Sequence, residues 1–182
     1  QRQMCIRDSK RAILYSVSSV SLAARVLGKA DKVREYLAQE LEKQGFSVEV
    51  YRLNPFKYLT PKGINGKKVL ADIPVLEFRK KYDVVFVIAD VQSFSTTNER
   101  NLHWSIPMGP EIPWYAAEKT TVFISVANPF HLYDVPMVPV CINTYNGSRE
   151  AIRQAVEKIT GKSEFKGNSP VDAFCGMWDT RL

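Results

Sequence analysis

Three stretches of this chain are too apolar to show water either side of a sheet: AILYSV at 12–17, DVVFVIADV at 83–91 and TTVFISVAN at 120–128. Short runs of β-branched and aromatic residues with almost no polar alternation are the mark of strands covered on both faces, the situation of a parallel sheet. VPVCINTY at 138–145 reads as a further such strand. Helical patterns lie between and after them. Val33, Tyr36, Leu37 and Leu41 fall at one-face spacing, with Asp31 placed to cap the start and Gly45 to stop the end. In FSVEVYRL, Phe46, Val48 and Val50 alternate with polar residues as in a strand. Strand, helix and strand in this order make a βαβ unit. Near the other end, SREAIRQAVEKITG sets Ile152, Ala155, Val156 and Ile159 on one helical face, capped by Ser148 and stopped by Gly161.

Residues 54–82 form an excursion with a turn at Asn65-Gly66 and a short helix that has Pro74 in its first turn. The whole pattern predicts an α/β fold: a three-layer, flavodoxin-like sandwich with a mostly parallel sheet of about five to six strands and helices on both faces. The last residues, 162–182, have no periodicity, but Phe165, Phe174 and Trp178 predict that they pack down.

Composition narrows what such a fold can do. A chain of 182 residues suits one domain with its own core. The net charge of +6 is spread out, and the densest basic runs, Arg79-Lys80-Lys81 and Lys67-Lys68, are not interleaved with aromatics. That argues against a nucleic-acid partner. Cys5, Cys141 and Cys175 form no CxxC and have no histidine at metal spacing, so no metal site is expected. No apolar run approaches the roughly 20 residues that span a bilayer, so no membrane partner is expected either. Residues 1–10, opening QRQMCIRDS, lack periodicity and resemble translated adaptor sequence; they read as a non-native or disordered leader, with the domain occupying 11–182.

Ligands of parallel α/β sheets bind beyond the carboxyl ends of the strands, which selects the loops at 18–30, 90–112 and 128–136. The first offers hydroxyls but only Gly28, with no GxGxxG or GxxxxGK[ST], and Leu22, Arg25, Val26 and Leu27 would obstruct a phosphate; no cofactor is expected. In the second, Arg100, His103 and Trp104 have the chemistry to contact a sugar, or alternatively anchor the loop by packing. In the third, His131 and Asp134 lack a nucleophile or acidic partner at any informative spacing. Asn128-Pro129 and Val135-Pro136 read as turn setters, with Asp134 capping a local turn, so the pair reads as architecture.

The stretch from TTVFISVANPFHLYDVP through INTY to GKSEFKGNSPVDAFCGMWDTRL resembles the end of the C-terminal α/β sandwich domain of glycoside hydrolase family 3. The branch it is most similar to is the bacterial β-N-acetylhexosaminidase-like one, and the resemblance extends over 11–182. It implies an accessory domain of a retaining β-glycosidase, inactive alone. Its partner would be an N-terminal (β/α)8 barrel lying upstream and carrying the nucleophilic aspartate, with carbohydrate bound at the interface. In the glucosidase branch the sandwich supplies a glutamate acid, and a strand there ends in Gly-Glu. The similar strand here ends in Ala89-Asp90, with no glutamate before Glu99, so no catalytic residue is assigned to this chain. Arg100 and His103 remain as substrate contacts. Two other readings stay open: a free-standing flavodoxin-like nucleotide or flavin module, and a carbohydrate-binding module.

Overall fold

The computed structural model describes residues 11–18, 32–51, 73–91, 102 and 113–176. Five strands make one sheet: β1 (Arg11–Ser18), β2 (Ser47–Val50), β3 (Val84–Asp90), β4 (Thr120–Ser125) and β5 (Val140–Asn143). Every neighbouring pair is parallel and the spatial order is β2-β1-β3-β4-β5. That is the flavodoxin-like order, in which the chain reverses its direction of winding between β1 and β3. Among the described residues three helices accompany the strands: α1 (Lys32–Lys43), α2 (Val75–Lys81) and α3 (Arg149–Ile159). Two 3₁₀ helices, Trp114–Ala117 and Pro129–Asp134, precede and follow β4.

The pleat sends alternate residues to opposite faces. Ala12 and Leu14 of β1, Val84, Phe86 and Ile88 of β3, and Val122 and Ile124 of β4 meet Leu37 and Leu41 of α1 and Ile152 and Val156 of α3. Each large side chain taken out of water here contributes roughly 1.5–3 kcal/mol. α1 and α3 lie side by side, joined by the Arg149 guanidinium, which donates to Gln39 at 2.8 Å and stands over the Tyr36 ring. Glu40 is buried between them and needs a cation; Lys43 at 2.7 Å and Arg149 at 3.6 Å supply it, and the Lys43 bond holds the carboxyl below its usual range.

The opposite face is built differently. Among the described residues, Ile13, Tyr15 and Val17 of β1, Val85, Val87 and Ala89 of β3, and Phe123 of β4 are covered by Phe78 of the seven-residue α2, by Tyr115 of the first 3₁₀ helix, and by Val135 and Val138 after the second. Aromatic rings dominate this packing. Tyr15 stacks on Tyr115 at 4.5 Å and touches Tyr51 at 4.7 Å, while Phe78 meets Trp114 at 4.9 Å.

Local signals account for the ends of the elements. Gly45, at φ 89°, and Gly161, at φ 72°, adopt the left-handed conformation that closes α1 and follows α3. The Ser148 side chain accepts from the Ala151 N–H as the expected cap. Pro74 is the residue immediately before α2. The tail departs from expectation at one residue. Phe174 is buried, but Phe165 is exposed, lying 5.7 Å below the Lys158 ammonium. Trp178, Asp31, the Asn65-Gly66 turn and the leader 1–10 lie outside the described residues.

Candidate functional site

The carboxyl ends of the strands gather Ser18, Asp90, Ser125 and Asn143 at one edge, followed by the turn at 128–135. Asn128 opens that turn: its side-chain oxygen accepts from the Phe130 N–H at 3.0 Å, and Pro129, with no N–H to satisfy, occupies the first helical position. The ring of His131 is thereby carried inward until it is fully buried.

Once there it closes a circuit. The Ser125 hydroxyl, 2.6 Å from the Asn128 carbonyl, donates its proton to that oxygen. It therefore accepts from His131 Nδ1, 2.8 Å away, which fixes the proton of the neutral ring on Nδ1. Nε2 then accepts from the Asn128 amide at 3.1 Å. Burial pushes the imidazole below its ordinary value of 6.5, outweighing the Asp134 charge and the Val91 carbonyl, both of which favour the protonated form. His131 is neutral at pH 7.

This geometry excludes a nucleophilic serine. The hydroxyl of Ser125 is spent on a carbonyl, its residue is only 1% exposed, and His131 is 0% exposed, so no substrate atom can reach either. Asp134 acts on the ring through its charge. It accepts from the Leu102 N–H at 2.8 Å, a residue 32 positions earlier. Besides any role within its own turn, Asp134 thus anchors Leu102 to that turn over a long sequence distance. Leu102 adds burial to that anchor.

Arg100, His103 and Trp104 of the loop at 90–112 lie outside the described residues, as do Gly28, Leu22, Arg25, Val26 and Leu27 of the first loop. Cys141 is free, and burial pushes its thiol up to about 12, which leaves it unreactive. Cys175 is free and exposed. Among the described residues no three metal-binding side chains converge, and no helix is long and apolar enough to cross a membrane. The role of Ser125 was not visible in the sequence, because nothing in a strand-end serine announces a histidine six residues on.

No protein-family model matches the chain. A β-N-acetylglucosaminidase/β-glucosidase of Cellulomonas fimi is 40% identical over 109 residues, which are 60% of this chain and 19% of that protein. Among solved structures, beta-glucoside phosphorylase BglX superposes with a TM-score of 0.74 at 29% identity, over 99% of this chain and 29% of its own. A glycoside hydrolase family 3 β-N-acetylglucosaminidase from Paenibacillus sp. str. FPU-7 shares the fold, with a TM-score of 0.51 at 14% identity over 89% of this chain and 27% of its own. The chain thus spans less than a third of the length of each of these relatives. Sheet order and sequence likeness together match the chain to the C-terminal α/β sandwich domain of glycoside hydrolase family 3 enzymes.

Proposed function

We propose that this domain is the accessory half of a retaining β-glycosidase acting on β-N-acetylhexosaminides. It packs on an N-terminal (β/α)8 barrel and walls one side of the substrate cleft. The observation that carries this reading is the 40% identity to a β-N-acetylglucosaminidase/β-glucosidase of which the chain matches only 19%. The chemistry agrees. Retaining cleavage needs a carboxylate nucleophile and an acid about 5–5.5 Å apart across the glycosidic bond. Among the described residues, the histidine of the carboxyl edge is committed to an internal circuit and Asp134 to a backbone anchor. In this reading the barrel brings the nucleophile, and the sandwich brings shape and sugar contacts. Arg100 and His103, outside the described residues, are the proposed contacts.

The test is turnover of a chromogenic β-N-acetylglucosaminide and β-glucoside by the chain alone and joined to its barrel, in phosphate and in phosphate-free buffer. The chain alone is expected to be inert and the joined protein active. A faster reaction in phosphate would make the enzyme a phosphorylase, as one relative is named. Turnover by the chain alone would overturn the reading. The strand order also suits a flavin or nucleotide module; heat stabilisation of the chain by either ligand would favour that alternative.

A further inference from the structure

The short connection from β5 to α3 contains the pair Asn146-Gly147, and each residue of the pair answers a different demand. Gly147 stands against α1. A Cβ at that position would lie 2.9 Å from Val33 Cγ2, closer than packed carbons stand, so the close approach selects glycine. Asn146 builds the turn. Its side-chain oxygen accepts from the Ser148 N–H at 3.0 Å, and its main-chain carbonyl accepts from the Thr144 hydroxyl at 2.8 Å. The residue itself is exposed to water. Packing and turn chemistry together therefore place an asparagine directly before a glycine, a combination that is chemically labile.

The lability has a geometric cause. Glycine has no side chain to shield its nitrogen. An Asn oxygen bonded to the nitrogen two residues on folds the side chain back, which brings Cγ beside the nitrogen between them. The Ser148 N–H also points at the oxygen that gains negative charge when Cγ is attacked, so the donor that holds the turn stabilises the attack as well.

We propose that Asn146 is a self-modification site, converted to isoaspartate through a cyclic imide formed with Gly147. The Gly147 nitrogen loses its proton and bonds to Cγ. The Cγ–Nδ2 bond breaks, and the amide group leaves as ammonia, taking up one proton. Water then opens the ring: cleavage at Cγ gives aspartate, and cleavage at the main-chain carbonyl carbon gives isoaspartate. The Thr144 hydroxyl polarises that main-chain carbonyl and favours the second outcome. The net change consumes one water, releases one ammonia and needs no oxidant or cofactor. Either product sets a carboxylate just before α3, where the helix dipole favours it. Isoaspartate also lengthens the main chain by one carbon beside Gly147, which loosens the contact with Val33 and hence the junction of α3 with α1. The inference stands independently of the glycosidase reading.

The test incubates the full chain in mildly alkaline buffer, folded and in denaturant. Peptide mass spectrometry follows the amide-to-acid mass gain, and a carboxyl methyltransferase specific for isoaspartate identifies the product. In denaturant Asn146 should convert at a rate like that of Asn65, which is also followed by glycine. In the folded chain it should convert at least as fast, with isoaspartate the larger product. A folded chain that keeps Asn146 intact while the unfolded chain loses it overturns the proposal, and so does a product that is mostly aspartate. Two variants isolate the turn. Ser148→Pro suits the observed φ of −64° but deletes the N–H, whereas Ser148→Ala keeps the N–H and loses the same helix cap. The proline variant should convert about 2- to 10-fold more slowly than the alanine variant, the worth of one hydrogen bond. Equal rates in the two would overturn the part assigned to the turn.

Discussion

The two faces of the sheet are covered in different ways. One carries α1 and α3, helices of 12 and 11 residues whose apolar stripes fit the strands beneath. The other carries, among the described residues, a seven-residue helix, a 3₁₀ turn and a chain of stacked rings. The first face is built from repeating positions, so any one of them is supported by others one turn away. The second concentrates its burial in a few large side chains held by irregular backbone. Regular packing suits a face that only has to be stable. The irregular face leads into the turn at the carboxyl edge, the edge where parallel α/β sheets as a class bind their ligands.

The comparison can be broken most directly at Phe78, which touches Tyr82, Trp114 and Tyr115. Phe78→Ala should cost about 3–5 kcal/mol, at the upper end of what Leu37→Ala costs on the helical face. Urea unfolding of the two variants gives the answer, and a loss at Phe78 under about 1 kcal/mol would show that the ring cluster is not a second core.

A smaller effect is expected at His131. Replacing it with Leu leaves polar partners of the circuit unpaired and should cost about 2–3 kcal/mol. The pH dependence separates this from simple misfit. The folded imidazole titrates below its ordinary 6.5, so the unfolded chain binds the extra proton first as pH falls. The wild type should hold its full stability above that value and lose it as pH drops through the folded value. The Leu variant should lack that slope; an equal slope in both would assign the acid sensitivity elsewhere.

The smallest change belongs to the regular face. Ser148→Ala removes the bond to the Ala151 N–H and should cost about 1 kcal/mol, read as a modest fall in the urea midpoint. A loss several times larger would mean that α3 is less well supported by α1 than its packing indicates.

The same contrast explains how much of the molecule was legible in the sequence. Strands β1, β3 and β4 declared themselves by apolar runs, and α1 and α3 by one-face spacing with Gly45, Ser148 and Gly161 in their punctuating roles. Those signals are local, so a window of a dozen residues contains them. The circuit at His131 is not local in that sense. It depends on a strand end, a proline-set turn and a buried carbonyl meeting in space, and periodicity carries no trace of it. Asp134 makes the point more sharply. A cap within its own turn is what the sequence around this aspartate suggests, and nothing local announces its bond to Leu102, 32 positions earlier. Phe165 and Phe174 look alike on paper, yet only Phe174 has a ring to meet. Arg100 and His103 were selected by chemistry alone.

The centre of the sheet sets an order on synthesis. β1 finds its inner neighbour only in β3, and the bonds that join Arg11 to Asp83 bridge 72 positions. A ribosome must therefore release the whole stretch from β1 through β3, about eighty residues, before the first apolar run can be fully sheltered. Until then that run is a sticky ribbon. Stalling or slow decoding before β3 should send nascent chains to chaperones or aggregates, whereas pauses after it should be harmless to the central pairing.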